Sequence, residues 1–373
     1  MADLRRLPLD DLHRRLGARM AAFAGWDMPV QYPAGVLKEH LHCRSAAGLF
    51  DVSHMGQVIL RAPSGRAADA AAALERLVPA DLLGLPEGRQ RYALFTDGTG
   101  GILDDLMVAN RGDHLFAVVN AGRAEHDIAH LRAGLPGVAV EAVADRALLA
   151  LQGPLAEAAL AALVPGVAAM RFMDAAGLDW RGVDLWITRS GYTGEDGYEI
   201  SVPVVAAGDL ARALMALPGV APVGLGARDS LRLEAGMPLY GHDIDTGTSP
   251  VEAGLAWAIQ KARRAGGARA GGFPGAARIL QELAEGPERL RVGLMPEGRA
   301  PMREGTQLFD PTGTPVGAVT SGGFSPSLDR PVAMGYVAAA HAAPGTALTG
   351  EVRGRRLPAT VTPLPFRPPT YKR

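Results

Sequence analysis

The chain has 373 residues, 48% of them hydrophobic, which is enough for two to three domains with buried cores of their own. Its 38 basic and 39 acidic residues nearly cancel to −1, so no bulk field draws it to nucleic acid or to an anionic membrane. The single cysteine, Cys43, excludes an intramolecular disulfide and any multi-cysteine metal site, and makes the cytosol the expected location.

The N-terminal stretch MADLRRLPLDDLHRRLGARM carries Asp3, Asp10 and Asp11 and lacks the apolar block of a signal peptide. In EHLH (39–42), His40 and His42 stand two apart, a spacing that could ligate a metal from a strand, but no third ligand converges and no metal is expected. From Gln57 to Ala117 apolar strands alternate with an alanine-rich helix around residues 66–77.

Residues 92–110, YALFTDGTGGILDDLMVAN, read as a hairpin, with Asp97-Gly98 and Gly100-Gly101 in the turn. Alternation puts Ile102, Asp104, Leu106 and Val108 on one face of the second strand, and Leu103, Asp105 and Met107 on the other. Whichever face is buried carries a carboxylate, and buried carboxylates are rare unless paired or functional. Both acids are therefore candidates, unless the strand lies wet at a sheet edge.

ALLALQGPLAEAALAALVPGVAAM (147–170) is too interrupted to span a membrane and reads as a strand followed by a buried helix. SGYTGEDGYEI (190–200) is glycine-rich like a phosphate cradle, yet it offers Glu195, Asp196 and Glu199 where a cradle needs cations. It suits a ligand rich in N–H donors, such as a base or pterin ring; a plain acidic surface turn is the alternative.

GARDSLRLEAGMPLYGHDI (226–244) predicts a short helix entered at Arg228 to Ser230 and ended by Gly236, with Arg228 and Arg232 four apart on one side. These arginines either grip a carboxylate or pair with Asp229 and Glu234. GLGARD lacks the third glycine of a dinucleotide loop, and no GxxxxGK[ST] or GxSxG motif occurs. TSPVE (248–252) is a capping box of Ser249, Pro250 and Glu252, while Trp257 is either core or a stacking platform. The basic, glycine-rich ARRAGGARAGGFPG (262–275) reads as an interdomain linker. Short apolar runs separated by turns after Arg291 predict an all-β sandwich or barrel.

In order along the chain, FAGWDMPVQY (23–32), GLFDVSHMG (48–56), GGILDDLMV (100–108), VVNAG (118–122), LALQGP (149–154), RSGYTGEDGYEISVP (189–203), GARDSLRLEAGMPLYGHDID (226–245), SPVEAGLAWAI (249–259), VGLM (292–295), TSGGFSPSL (320–328) and MGYV (334–337) resemble the aminomethyltransferase, or T-protein, family of the glycine cleavage system. The resemblance implies an α+β cloverleaf of three domains: residues 1–52 with 145–280, an inserted α+β unit at 53–144, and a C-terminal all-β barrel at 285–373.

It further implies tetrahydrofolate as co-substrate, a lipoylated H-protein carrier, and decarboxylase and dihydrolipoyl dehydrogenase components in the same pathway. Asp105 is then the catalytic carboxylate, and Glu199 with Tyr192 holds the pterin ring. Met55, Tyr92, Phe172, Arg228, Trp257, Arg291 and Tyr371 are expected around the folate. Lys261, Arg263 and Arg264 form either a patch for an acidic carrier or merely a charged linker. A folate-dependent demethylase is disfavoured because nothing in the sequence suits FAD. An iron–sulfur assembly factor of the same fold carries a loop near KGCYxGQE, where this chain reads RSGYTGED.

Overall fold

The computed structural model describes residues 4–373. A six-stranded sheet runs in the order Ala175–Trp180, Val183–Thr188, Gly197–Pro203, Arg146–Gln152, Ala47–Asp51 and Val220–Pro222, antiparallel except for its last pair. The inner strand Arg146–Gln152 reads ALLAL without polar alternation because both of its faces are covered. Leu149 and Leu151 pack with Leu160 of helix Ala156–Leu163 and Leu210 of helix Val204–Met215. On the other face, Leu148 and Ala150 pack with Cys43, Phe50 and Leu231. The strand-then-helix expectation for 147–170 therefore holds.

Between two strands of that sheet the chain forms a second, antiparallel one, ordered Gln90–Thr96, Ile102–Asn110, Leu115–Val119, Gly56–Arg61 and Ala139–Ala142. Helix Ala67–Leu74 packs its Ala67, Ala70, Ala71 and Leu74 side on this sheet. The predicted hairpin is present. The Asp97 carboxylate accepts from the backbone N–H of Thr99 and Gly101, and Gly100 takes φ +87°.

The predicted alternation of its second strand is broken at one point. Phe95 pairs with Asp104 and Thr96 with Ile102, which leaves Leu103 as a bulge residue. The bulge moves Ile102 into the cluster of Leu94 and Tyr92, away from Leu106 and Val108.

Gly101 shows why this turn tolerates no side chain: a Cβ there would lie 1.9 Å from the Thr246 carbonyl oxygen. Gly101→Ala is therefore expected to cost about 2 kcal/mol through forced backbone displacement, read as a lower urea midpoint with an unchanged slope.

The C-terminal segment closes into a barrel of strands Arg289–Pro296, Arg330–Ala338, Pro315–Ser325, Gln307–Phe309, Ala347–Val352 and Arg355–Thr362. Val292, Leu294, Leu308, Val319, Leu348 and Val361 fill it. The fold is thus an α+β cloverleaf with a closed β-barrel as its third leaf.

Helix Leu225–Glu234 joins the leaves. It starts three residues before the predicted entry and ends as predicted at Gly236 (φ +66°), where Met237 N–H donates to the Arg232 carbonyl. Arg232 reaches Asp243 at 2.7 Å and Ser321 of the barrel at 2.9 Å. Glu234 accepts from Arg44 at 2.8 Å and from Ser325.

One local expectation needs correction, and two gain detail. EHLH lies in helix Val36–Ser45, not in a strand, and its two histidines diverge: His40 meets Ser230 and Ser327, whereas His42 meets the Gly219 carbonyl. The Ser249–Glu252 box closes in both directions at 2.8 and 3.1 Å, but Gly254 at φ +69° stops the turn before any α-helix develops. Residues 262–275 are docked rather than loose, because Arg263 and Arg269 bind Glu75 at 3.2 and 3.0 Å. Arg264 donates to the carbonyls of Ile259 and Ala256. Two of the three cations considered for a carrier patch therefore have structural partners.

Candidate active site

A narrow cleft lies between the two sheets. One wall is the strand pair carrying Met107 and Val118; the other presents Leu148, Thr188 and Glu199. Tyr92 stands opposite Met107 in register, and Asp105 shares the Met107 face two residues away.

Of the three acids in SGYTGEDGYEI, two are engaged by the protein. Glu195 accepts from Arg44 at 3.0 Å and from Thr370 at 2.7 Å, and Asp196 from Arg189 at 3.1 Å. The Glu199 carboxylate has no hydrogen-bond partner among the described residues. The loop's glycines do not cradle a ligand: a Cβ on Gly191 or Gly197 would strike Gln152 or the Leu151 carbonyl. They permit close packing around buried Gln152, which donates to the Ser190 carbonyl at 2.9 Å and accepts from Thr193 at 2.8 Å.

Arg228 completes this wall. Its guanidinium lies 5.0 Å from the Tyr192 ring centroid, and Nη1 is buried without a partner. Burial lowers the guanidinium, opposed by the charge of Glu199; burial raises Glu199, opposed by Arg228. The two groups sense each other without a direct ion pair, which leaves both able to engage a ligand.

Burial pushes the Asp105 carboxyl up to about 7. The neighbouring Asp104 adds to the shift, and Tyr92 and Asn120 oppose it. Asn120 Nδ2 donates to Asp105 Oδ1 at 2.7 Å and to Asp104 Oδ1 at 2.9 Å. The Tyr92 hydroxyl lies beside Asp105 but completes no hydrogen bond of ordinary geometry. Trp257, 58% exposed, stacks on the Tyr92 ring at 5.2 Å. A carboxyl that titrates near neutrality can exchange a proton at working pH.

This arrangement matches known proteins over its whole length. A family model described as the GCVT N-terminal domain matches residues 9–263, and one described as the glycine cleavage T-protein C-terminal barrel domain matches 289–367. The chain is 48% identical to a Gallus gallus protein named aminomethyltransferase, mitochondrial, covering 99% of this chain and 94% of that one. A Dictyostelium discoideum protein of the same name is 44% identical, with 100% and 94% covered. The crystal structure of glycine cleavage system aminomethyltransferase T from Bartonella henselae superposes with a TM-score of 0.92 at 45% identity, covering all of both chains.

The chain belongs to the glycine cleavage T-protein family.

One expectation falls with these matches. Composition and a lone cysteine pointed to the cytosol, but the T-protein relatives from Gallus gallus and Dictyostelium discoideum are named mitochondrial. A single buried thiol reports an absence of disulfides, not an address. No described helix is long and apolar enough to cross a membrane, and no three His, Cys, Asp or Glu side chains gather as a metal site among the described residues.

The expected T-protein site residues divide into two groups. Glu199 lines the cleft, with Arg228 and Tyr192 next to it, and Asp105, Tyr92 and Trp257 form a second group on the strand face that carries Met107. Met55 belongs to the apolar cluster of Leu148 and Val118, two residues of the cleft wall. Arg291 approaches Tyr92, but its Nε and Nη1 are held by the carbonyls of Ala253 and Gly236.

Phe172 and Tyr371 lie outside the cleft lining. They stack on each other at 4.1 Å, and the Phe172 N–H donates to the Lys372 carbonyl, pinning the C-terminal tail. The next residue, Met173, accepts from the backbone of Gln90, which does line the cleft.

Two further polar residues were not singled out from the sequence. Asn120 sits in VVNAG, which carries no signal beyond the family resemblance. His54, in GLFDVSHMG, is buried with an unpartnered Nδ1; burial and then the charge of Arg228 hold it down at about 4, so it is neutral.

Proposed function

We propose that this chain transfers the methylene of an aminomethyl group, carried on a lipoylated H-protein, to tetrahydrofolate. The products are ammonia, 5,10-methylenetetrahydrofolate and the carrier with its lipoyl arm left as the dithiol. Family membership supports the reaction class. The single observation that favours a folate in the cleft is Glu199 and Arg228 facing each other unbridged, opposite the strand face that carries Asp105.

The residues fit such a ligand. A pterin presents a planar edge of N–H donors, and the partnerless Glu199 carboxylate can accept two of them side by side. The buried Arg228 Nη1 lacks an acceptor, which a ring carbonyl or a carboxylate of the glutamate tail can supply. The Trp257 indole, resting on Tyr92, offers a flat face to an aromatic group. Met55 and Met107 supply apolar walls. We assign Phe172 and Tyr371 to the same site as supports of the rim.

Bound tetrahydrofolate supplies the nitrogen nucleophile. Asp105 accepts a proton from that nitrogen, with Asn120 fixing the direction of its carboxylate. Tyr92 fills the space beside Asp105 and keeps water away from it. Holding the reactants in position contributes much of the remaining acceleration. The reading divides the chain at residues 1–52 with 145–280, 53–144, and 285–373, so that all three units border the folate. The decarboxylase and dihydrolipoyl dehydrogenase of the system complete the reaction cycle.

Calorimetric titration with tetrahydrofolate tests the site. One equivalent is expected to bind with heat lost in Glu199→Gln, whereas equal binding by both proteins would refute the assignment.

A further inference from the structure

Asp104 and Asp127 are buried acids to which the proposed reaction gives no role. Both are fully enclosed, at 0% exposure. Asp104 leaves its strand on the face opposite Asp105, the side of Leu106, which shares a core with Leu131 of helix Ala124–Gly134; Asp127 lies one turn before Leu131, close enough for the two carboxyls to shift each other. The Oδ2 atoms of both are buried with no donor among the described residues. Two carboxylates that close, removed from water, cannot both ionise; one shared proton satisfies both orphaned oxygens.

The surroundings decide where the proton sits. On its own helix Asp127 feels the Arg123 guanidinium, which favours its ionised form, and Arg123 also donates to His126 Nδ1 at 2.9 Å. Tyr240, whose ring lies 5.5 Å from the Arg123 guanidinium, has its phenol raised by burial, opposed by Arg123 and supported by both acids, so it brings no charge. Asp104 faces no cation. Its other oxygen accepts from Asn120, whose same amide nitrogen donates to Asp105.

We propose that Asp104 carries the proton and donates it from Oδ2 to ionised Asp127, and that the pair acts as positioning residues for Asp105. Neutral Asp104 anchors Asn120 against the catalytic carboxylate and withholds the negative charge that would otherwise raise it further. Burial alone then keeps Asp105 above the ordinary carboxylate range while Asn120 holds its direction. The inference rests on the reading of Asp105 as the proton acceptor.

Asp104→Asn preserves the arrangement, since an amide can donate to Asp127 and accept from Asn120. Asp127→Asn reverses it: the new amide donates to Asp104, which then ionises and opposes ionisation of Asp105. The pH–rate limb of Asp104→Asn is expected at the wild-type position. That of Asp127→Asn is expected about one unit higher, with about tenfold lower turnover on its acid side. A purely structural role moves both limbs equally or neither, and either result overturns the proposal.

Infrared spectra provide a readout that needs neither turnover nor Asp127→Asn. In an Asp105→Asn background, a protonated-carboxyl band is expected at neutral pH and should vanish when Asp104→Asn is added. An unchanged spectrum overturns the shared proton. If the wild-type enzyme shows no turnover, the transferase reading fails while the infrared result still decides this one.

Discussion

Asp105→Asn is expected to lower turnover by about two to four orders of magnitude, the range for removing a positioned general base, while tetrahydrofolate affinity changes by only about threefold. The amide is nearly isosteric, so it can keep the Asn120 contact after an amide flip, but it cannot take up a proton. Rapid-mix ammonia release gives the rate, and calorimetry gives the affinity. Equal losses in both would make Asp105 a binding residue.

The wild-type pH profile carries the same information. A base must be ionised, so turnover should rise with pH through about 7, the value to which burial lifts this carboxyl, and the limb should be absent in the variant. Stability moves the opposite way. The folded-state value lies above that of an unfolded aspartate, so the associated stabilisation is complete below the unfolded value and lost as pH rises through about 7. Asp105→Asn should flatten that part of the stability curve.

The second large effect is at Glu199. Its carboxylate makes no hydrogen bond to described residues, so its removal breaks none in the free protein, where only the charge facing buried Arg228 is lost. Glu199→Gln should weaken tetrahydrofolate binding by about 30- to 150-fold, the equivalent of a charge-assisted hydrogen bond of about 2 to 3 kcal/mol. Turnover at saturating folate should stay within several-fold of wild type. Glu199→Ala should be worse, because it also removes the side-chain oxygen with which Gln can still accept from the ligand. An unchanged dissociation constant for Glu199→Gln would remove this residue from the ligand site.

Much of this site could be seen in the sequence, and the exceptions have definite causes. Alternation along ILDDLMV correctly put Asp104 and Asp105 on opposite faces. It could not choose between them, because both faces are covered, one by helix Ala124–Gly134 and the other by the cleft. The Leu103 bulge, which moves Ile102 to the other side, depends on the partner strand and has no local signature.

Arg228 and Arg232 looked equivalent at helical spacing. Arg232 is engaged by Asp229, as the sequence allowed, and also by Asp243 and by Ser321 of the barrel, whereas Arg228 has none of these partners. Similarly, SGYTGEDGYEI displayed three acids, but Arg44, Arg189 and Thr370 decide which of them remains free. The EHLH segment misled because its helix starts at Gly35 with no side-chain cap to announce it.

The glycine-rich 262–275 segment holds contacts that its composition does not announce. Its composition suits a linker, whereas its arginines are fixed by Glu75, which lies nearly two hundred residues earlier. In each case local pattern gave the element or the chemistry, and a distant partner gave the role.

The most direct measurement is ammonia release from H-protein loaded with aminomethyl-lipoate, with this protein present or absent and with tetrahydrofolate present or absent. The transferase account predicts rapid release only when protein and folate are both present, with 5,10-methylenetetrahydrofolate formed in equal amount. Tight folate binding with no acceleration of release would contradict it and leave a folate-binding protein whose Asp105 positions the ligand without reacting.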